Sequence, residues 1–78
     1  MVDEPQQNFG QKAVGLTFNP SNNKIVQDTK EHFADIINIL NQYRNDATDP
    51  EVKRMFSVAI TEAQTAQMWA VKAETWVV

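Results

Sequence analysis

Few residues in this 78-residue chain have the chemistry of a functional site, and those that do are suited to binding rather than to catalysis. The segment Phe18-Asn19-Pro20 offers an aromatic ring. Such a ring could stack on a nucleobase, which is worth ~1–3 kcal/mol, or it could anchor the N-terminal segment to the helices. The physical chemistry of the segment alone favours the anchor. Lys30 would ordinarily be a solvated charge, although a small anionic ligand needs only one or two well-placed lysines.

No catalytic set is recognisable along the chain. Cysteine is absent and His32 is the single histidine, so disulfides and thiolate metal sites are excluded and a histidine-based zinc site is not expected. Glu62 and Glu74 stand twelve residues apart, which is about 18 Å along a helix and too far for a paired-carboxylate site. Gly10 and Gly15 form no glycine-rich phosphate loop. The sequence therefore predicts no enzyme, no metal and no cofactor.

Charge and hydropathy narrow the class of partner. The formal net charge is −3, and acidic and basic residues are interspersed. This pattern lacks the basic patch with which proteins bind DNA or RNA. No apolar run approaches the roughly 20 residues that a bilayer span requires, and the acidic N-terminus, residues 1–4, is unlike a signal peptide. We therefore expect a cytoplasmic protein that contacts neither nucleic acid polymers nor membranes.

Two long helices are expected to position the candidate residues. Residues 1–20 carry both glycines and two of the three prolines, so we predict an N-terminal arm that is extended, with room for one short turn. Its apolar side chains predict that the arm docks on a neighbouring subunit or on the helices of its own chain. Residues 21–78 are predicted to form a helical hairpin domain, with helices at about 21–45 and 49–76.

Capping residues mark the predicted starts of both helices. Ser21 is a candidate N-cap of the first helix, with Asn22 or Asn23 as alternatives. Thr48 and Glu51 have the spacing of a capping box, and a proline falls in the first turn of the second helix. Because the connection between the helices is short, the two must run antiparallel.

The second helix carries alanines at heptad spacing, in steps of four, three, four and three, from Ala59 to Ala73. A heptad seam of small residues is typical of a helix packed closely along another. Further apolar residues point in other directions, and a helix that is apolar on most of its circumference is buried on most sides. We therefore predict self-association into a homo-oligomeric helical bundle. The predicted oligomer interface comprises Ala59, Ala63, Ala66, Met68, Trp69, Ala70, Ala73 and Trp76.

Residues 59–73, and above all the run Met-Trp-Ala-Val-Lys-Ala at 68–73, resemble the second hairpin helix of a phage protein family. That family comprises the anti-CBASS cyclic-oligonucleotide sponges, whose hairpin domain is shared with the anti-Thoeris sponges. Residues 15–40 also resemble the family, with its glycine, its aromatic-x-proline motif and its helix with an internal lysine. The resemblance covers most of the chain.

The resemblance implies a homohexamer that binds cyclic dinucleotides or related cyclic nucleotides in pockets between subunits, without cleaving them, in the cytoplasm of an infected bacterial host. It implies that Phe18 stacks on a base, with Asn19 and Pro20 beside the ligand, and that Lys30 meets phosphate. Members carry tyrosine where this chain has Phe18, so stacking is kept while a hydroxyl contact is lost. Ile60 replaces the basic residue of members that have a second site for cyclic trinucleotides, so such a site is not expected.

A different class of function stays open on the residues alone. A small helical adaptor would bind another protein through its apolar faces and would need no nucleotide ligand. The adaptor and the sponge share the predicted hairpin, and only the sponge needs a pocket.

Overall fold

The computed structural model of this protein describes residues 6–78, so the acidic stretch at residues 1–4 lies outside the described part. Within it the chain forms three helices and no strand: α1 spans Phe9–Ala13, α2 spans Lys24–Asp46 and α3 spans Pro50–Glu74. The predicted all-α class is confirmed. None of these helices is long and apolar enough to cross a membrane.

α2 and α3 form an antiparallel hairpin. Near its closed end, the guanidinium of Arg44 on α2 donates a hydrogen bond to Ser57 Oγ on α3 (3.1 Å). At its open end, the hydroxyl of Thr29 donates to a carboxylate oxygen of Glu74. The two contacts join opposite ends of the helices, which is the arrangement that a short connection imposes.

α2 begins at the latest of the three candidate caps. The side-chain oxygen of Asn23 accepts hydrogen bonds from the backbone N–H groups of Ile25 (2.9 Å) and Val26 (3.2 Å). These are orphan donors of the first turn, which have no partner inside the helix. Asn22, the residue before the cap, has a positive φ of 52°. Asparagine tolerates this left-handed conformation, and the helix therefore starts later than Ser21 predicted.

α3 is capped by Asp49 and not by Thr48, so the predicted capping box is wrong. The carboxylate of Asp49 accepts from the backbone N–H of Glu51 (2.8 Å), and Pro50 occupies the first helical position. Aspartate ranks at or above threonine as an N-cap, and its negative charge is favourable at the positive end of the helix dipole. α3 ends at Glu74, two residues before the predicted end, with Thr75 as its C-cap.

The N-terminal arm contains a short helix that the sequence pattern did not predict. Asn8 and Gln11 cap α1 reciprocally: the side chain of each accepts a hydrogen bond from the backbone N–H of the other, both at 2.9 Å. The Asn-x-x-Gln spacing is a variant of the capping box and was the available signal. The expected arm at 1–20 is therefore partly helical.

α1 docks on α2 through a glycine. Gly10 is buried, and its backbone N–H donates to the side-chain oxygen of Asn38 on α2 (2.7 Å). An added Cβ at Gly10 would lie 2.1 Å from the backbone oxygen of Ala34. Only a residue without a side chain allows the two backbones to approach this closely. The arm thus docks on the helices of its own chain, which was one of the two predicted outcomes.

One small core joins the arm and the hairpin. Its buried side chains are Val14 from the segment after α1, Ala34 and Ile37 from α2, and Ile60 from α3. Partly buried residues surround them: Ala13, Leu16, Phe33, Leu40 and Ala63. The arm therefore contributes to the same core as the helices. The division of the chain into an arm at residues 1–20 and a hairpin domain at residues 21–78 stays a prediction.

The backbone forms a thin layer, whose Cα atoms extend only 14 Å along the shortest axis. Two helices side by side in one layer leave both flat faces of the layer uncovered. Many large apolar side chains are exposed on the single chain, including Phe18, Ile25, Ile36, Ile39, Tyr43, Met55, Val58, Met68, Trp69 and Trp76. Exposed apolar area of this extent marks surfaces that bind partners.

We expect the substitution Gly10→Ala to destabilise the fold by about 1–3 kcal/mol, because the new methyl group would overlap the backbone of α2. Thermal unfolding followed by circular dichroism measures the effect, at about 4–8 °C per kcal/mol for a chain of this size. Asn45→Ala, at an exposed position of α2, is the control and should leave the melting temperature nearly unchanged. An unchanged melting temperature for Gly10→Ala would show that the close packing of α1 is dispensable.

Candidate functional site

Lys30 is buried, with only 4% of its surface exposed. It lies on the face of α2 that also carries the buried residues Val26, Ala34 and Ile37. The expectation of a solvated charge is therefore wrong. The charge of Lys30 favoured solvent, because the sequence did not reveal that the arm folds over this part of the helix.

The ammonium of Lys30 is held by the segment that follows α1. Its Nζ donates hydrogen bonds to the backbone oxygens of Gly15 (2.9 Å) and Phe18 (2.5 Å). Gly15 has a φ of 62°, a left-handed conformation that favours glycine. The turn so formed, in which Phe18 N–H also donates to the Gly15 oxygen (2.9 Å), aims both carbonyls at the lysine.

The charge of Lys30 has no carboxylate partner among residues 6–78, where the ion pairs are Lys24 with Asp28 and Arg54 with Glu51. Burial lowers the pKa of Lys30, because removal from water disfavours the charged ammonium. Two carbonyl dipoles offset part of this cost and leave a net positive charge beneath the surface. Such a site is electrostatically suited to an anion.

The ring of Phe18 lies beside this charge and faces solvent. Its centroid is 5.6 Å from Lys30 Nζ, and 75% of the residue is exposed. A ring this exposed does not anchor the arm to the helices of its own chain, which was the interpretation favoured by the segment alone. It is instead a flat apolar surface, free to stack, next to a cation.

A cavity of about 450 Å³ opens in front of these two residues. It lies between the loop that follows α1 and the C-terminal half of α3. Its lining combines two lysines, two glutamines and apolar groups: Lys12, Ala13, Val14, Gly15, Phe18, Lys30, Gln64, Gln67, Met68 and Val71. The volume falls in the range of small-molecule sites, and the mixture of apolar walls with a few polar groups is typical of them.

Asn19 and Pro20, the other two predicted ligand contacts, do not line this cavity. The side chain of Asn19 is bonded to the backbone of Asn23, donating to its oxygen (2.9 Å) and accepting from its N–H (3.1 Å). Asn19 thus holds the entry to α2. Pro20 is exposed in the same turn. The structure therefore brings together Phe18 and Lys30 and leaves their two neighbours outside.

Sequence reasoning missed the wall that α3 contributes. Gln64 and Gln67 face the cavity, and Gln64 Nε2 donates to the backbone oxygen of Ala13 (3.2 Å). Gln67 follows the buried Ile60 by seven residues, which places both on the side of α3 that packs inside the chain. The seven-residue spacing of Ile60 and Gln67 was the sequence signal for this wall. It was obscured because the alanine series, which begins at the adjacent residue Ala59, dominated the pattern.

The alanine series divides between two environments. Ala63 packs against the core, Ala59 and Ala70 are half-buried, and Ala66 and Ala73 are exposed. The rest of the chain therefore covers only part of this alanine series. Its exposed members, Ala66 and Ala73, are accessible to another chain.

A second cavity, of about 460 Å³, lies among Trp69, Lys72, Ala73 and Trp76 at the end of α3. Both tryptophans are exposed, and the ammonium of Lys72 lies 5.1 Å from one ring and 5.9 Å from the other. Trp76 lies beyond the last residue of α3.

Over residues 6–78, no three histidine, aspartate or glutamate side chains come together in a way that could hold a metal ion.

The fold and the cavity define a small all-helical binding domain, with an aromatic ring, a buried cation and polar side chains around one opening. Comparison with protein families agrees with this class. The chain matches the family described as the Acb2/Tad1 hairpin domain over residues 11–75, and it belongs to this family of anti-CBASS and anti-Thoeris sponges. No curated protein and no solved structure matches the chain.

Membership of the family has general consequences for function. The family is of the binding type and is not a known enzyme family. It implies a role as a cyclic-nucleotide sponge and suggests oligomerisation. The matched residues include Phe18, Lys30 and the whole of the α2–α3 hairpin as far as Glu74.

We expect Lys30→Met to release the turn at residues 15–18 from α2 while the hairpin stays folded. Two hydrogen bonds from a charged donor would be lost, and each is worth about 1.5–3 kcal/mol. Amide hydrogen exchange followed by mass spectrometry should show exchange at least about tenfold faster over residues 15–19 and unchanged in the middle of α3.

The matched control is Lys24→Met, which removes an exposed lysine that pairs, within residues 6–78, with Asp28 on the same helix. It should leave exchange of the turn unchanged. Equal protection of the turn in the wild type and in Lys30→Met would contradict a holding role for this ammonium.

Proposed function

We propose that this protein is a non-catalytic sponge that sequesters cyclic dinucleotides or related cyclic nucleotide messengers and so blocks anti-phage signalling in an infected bacterial host. The observation that carries the proposal is the buried ammonium of Lys30, which lacks a carboxylate partner among the described residues and lies beside the exposed ring of Phe18 at a cavity of about 450 Å³. Membership of the sponge family supports it.

The chemistry of the cavity matches the parts of such a ligand. The ring of Phe18 supplies a flat contact for a base, worth ~1–3 kcal/mol. Lys30 and Lys12, which both line the cavity, supply two positive charges, and a cyclic dinucleotide carries two phosphodiester groups. The apolar wall of Met68 and Val71 would cover the ribose and the second face of a base.

The cavity is open on a single chain, and we propose that other subunits close it in a homohexamer. The thin layer and its exposed apolar side chains support assembly. Met68 belongs to the proposed interface and also lines the cavity. A neighbouring subunit packed on the outer members of the seam, Ala66 and Ala73, would therefore also wall the ligand site. Enclosure removes more of the ligand from water and slows its release.

Binding alone is sufficient for such a function. A messenger held in a closed cavity is unavailable to its receptor, so the concentration of sites and the dissociation constant decide the outcome. The proposal places the protein in the cytoplasm of the infected cell, where the messenger is made.

We expect Lys30→Ala to weaken binding of a cyclic dinucleotide by more than tenfold, because the phosphate would lose its buried cation. Isothermal titration calorimetry measures the affinity, and size-exclusion chromatography checks that the oligomer persists. Lys24→Ala, at an exposed position of the same helix, is the matched control and should bind as the wild type does. Unchanged affinity of Lys30→Ala would remove Lys30 from the site.

The experiment that tests the function itself is native mass spectrometry of the purified protein with a panel of cyclic nucleotides. Retained intact ligand, in a stoichiometry related to the number of subunits, is the expected result. A bare protein that retains none of the nucleotides would contradict the sponge and would favour the adaptor, whose partner binds the apolar faces directly. Recovery of a cleaved nucleotide would contradict a non-catalytic role.

We expect Ala66→Trp to break the assembly into smaller species without unfolding the chain, because Ala66 is exposed in the single chain while a bulky residue there would block close approach of a second helix. Sedimentation velocity at micromolar concentration measures the change. Asn45→Trp, exposed near the hairpin turn, is the control and should leave the wild-type hexamer intact. A well-folded wild-type monomer would overturn the proposed assembly.

A further inference from the structure

α2 carries a heptad pattern of its own, on the side of the helix that faces solvent. Its members follow one another in steps of four, three, four, three and four residues: Ile25, Thr29, His32, Ile36, Ile39 and Tyr43. We call these six residues the α2 stripe. Its four large apolar side chains are each between 49% and 61% exposed. This spacing is that of the contact positions of a coiled coil.

The stripe lies on the side of α2 that is turned away from the rest of the chain. Ala34, whose backbone oxygen closely meets Gly10 of α1, is nine residues from Ile25 and therefore about 180° around the helix. The buried residues of α2 are likewise off the stripe: Val26, Lys30, Ala34 and Ile37. No member of the stripe lines the cavity of Phe18 and Lys30. The ligand site and this surface are therefore separate.

The stripe is complementary to a reversed copy of itself. Its steps read the same in both directions, so two antiparallel helices can place every member opposite another member. The layers would join Ile25 to Tyr43, Thr29 to Ile39, and His32 to Ile36, and each layer would occur twice. A two-fold interface has this reciprocal form, in which one residue contacts a second and the second contacts the first.

The polar members of the stripe are compatible with burial in such a pair. None of the six carries a carboxylate, an ammonium or a guanidinium group. Nδ1 of His32 donates to the backbone oxygen of Asp28 on its own helix (2.7 Å), so this nitrogen needs no partner in the interface. Asp35 lies beside the stripe and would face its own copy, an exposed like-charge contact whose cost is small and is screened by salt.

The outer side of α3 is a less suitable partner for the stripe. Its corresponding heptad positions include the exposed Val58, Trp69 and Trp76, but the charged residues Glu62 and Lys72 stand among them. Packed on the apolar α2 stripe, these charges would lose water without gaining an opposite charge, which is costly. A second copy of α2 brings no such charge into the contact.

We propose that the α2 stripe is a two-fold interface at which two copies of this chain pair their α2 helices antiparallel; this inference rests on the self-association within the proposed function and not on nucleotide binding. The contact runs for about 27 Å, from Ile25 to Tyr43. A hexamer of dihedral symmetry needs a two-fold interface besides the contacts around its three-fold axis. The α2 stripe supplies the two-fold, and the exposed alanines of α3 are left for the other contact.

Crosslinking tests the direction of the pair, and the absence of native cysteine makes single-cysteine variants unambiguous. Ile25→Cys and Tyr43→Cys, carrying tags of different mass, are produced separately and together, and treated with a short bis-maleimide. The expected product is a covalent dimer of the two variants when they are produced together, with neither variant linked to itself. Glu31→Cys, at an exposed position of α2 off the stripe, is the control and should not link to Tyr43→Cys.

A charge placed in the stripe tests its contribution to assembly. Ile36→Glu should reduce the wild-type assembly to species of half its mass or less at micromolar concentration in sedimentation velocity, because each contact would bury two unpaired carboxylates. Circular dichroism should show unchanged helix content, since Ile36 is exposed on the single chain. Asn45→Glu, exposed and off the stripe, should assemble as the wild type does.

The outcomes separate this inference from the proposed function. A monomeric wild type would overturn the proposed assembly and the α2 pair together. A wild-type assembly that forms no covalent dimer of Ile25→Cys with Tyr43→Cys would overturn the pair alone, and so would self-linked Ile25→Cys, which would indicate parallel helices. An assembly undisturbed by Ile36→Glu would also count against the pair. If Ile36→Glu loses its helix content, the crosslinking result decides.

Discussion

The ammonium of Lys30, held between the backbone oxygens of Gly15 and Phe18, is the contact on which the arrangement of the site depends. It joins α2 to the turn that follows α1 and sets Phe18 at the edge of the cavity. Lys30 is also the one charged side chain that is buried among residues 6–78. Its desolvation is offset only in part by two carbonyl dipoles, so the site holds a positive charge that an anion can neutralise.

The same group therefore holds the turn in the fold and, under the proposed function, also binds the ligand, so a substitution at Lys30 changes both at once. A lysine can bond two carbonyls and still offer a third N–H, whereas a neutral side chain would hold the turn without attracting phosphate. Gln67 is a parallel case on the facing helix, since its buried amide makes no side-chain hydrogen bond among residues 6–78 and lines the same cavity. Both residues place buried polar groups at the same cavity.

The second constraint is the thickness of the molecule. A backbone layer 14 Å thick has few positions that are closed from both sides, and its fully buried apolar side chains are correspondingly few. Domains of this size usually need a further source of stability, and in the described part of this chain no disulfide or metal cluster supplies it. Exposed tryptophans and the outer alanines of the seam offer the surface on which other subunits would supply it.

The helices and their antiparallel pairing followed from the sequence, because apolar spacing, caps and a short connection are local signals that survive in any tertiary context. The choice between neighbouring capping residues was harder to predict. Asn23 and Asp49 are the N-caps where Ser21 and Thr48 were expected, since several good capping residues stand side by side. The small helix α1 was missed because its only mark is a reciprocal pair of side-chain bonds.

The site depended on contacts between segments distant along the chain. Sequence alone singled out Phe18 and Lys30 by residue type and family resemblance, but it assigned the lysine to solvent on physical grounds. Only the folded chain decided that Gly10 lets the arm approach α2, that the arm then covers Lys30, and that α3 turns Gln67 toward the same opening. Burial is a property of what packs against a residue, and no local pattern contains that information.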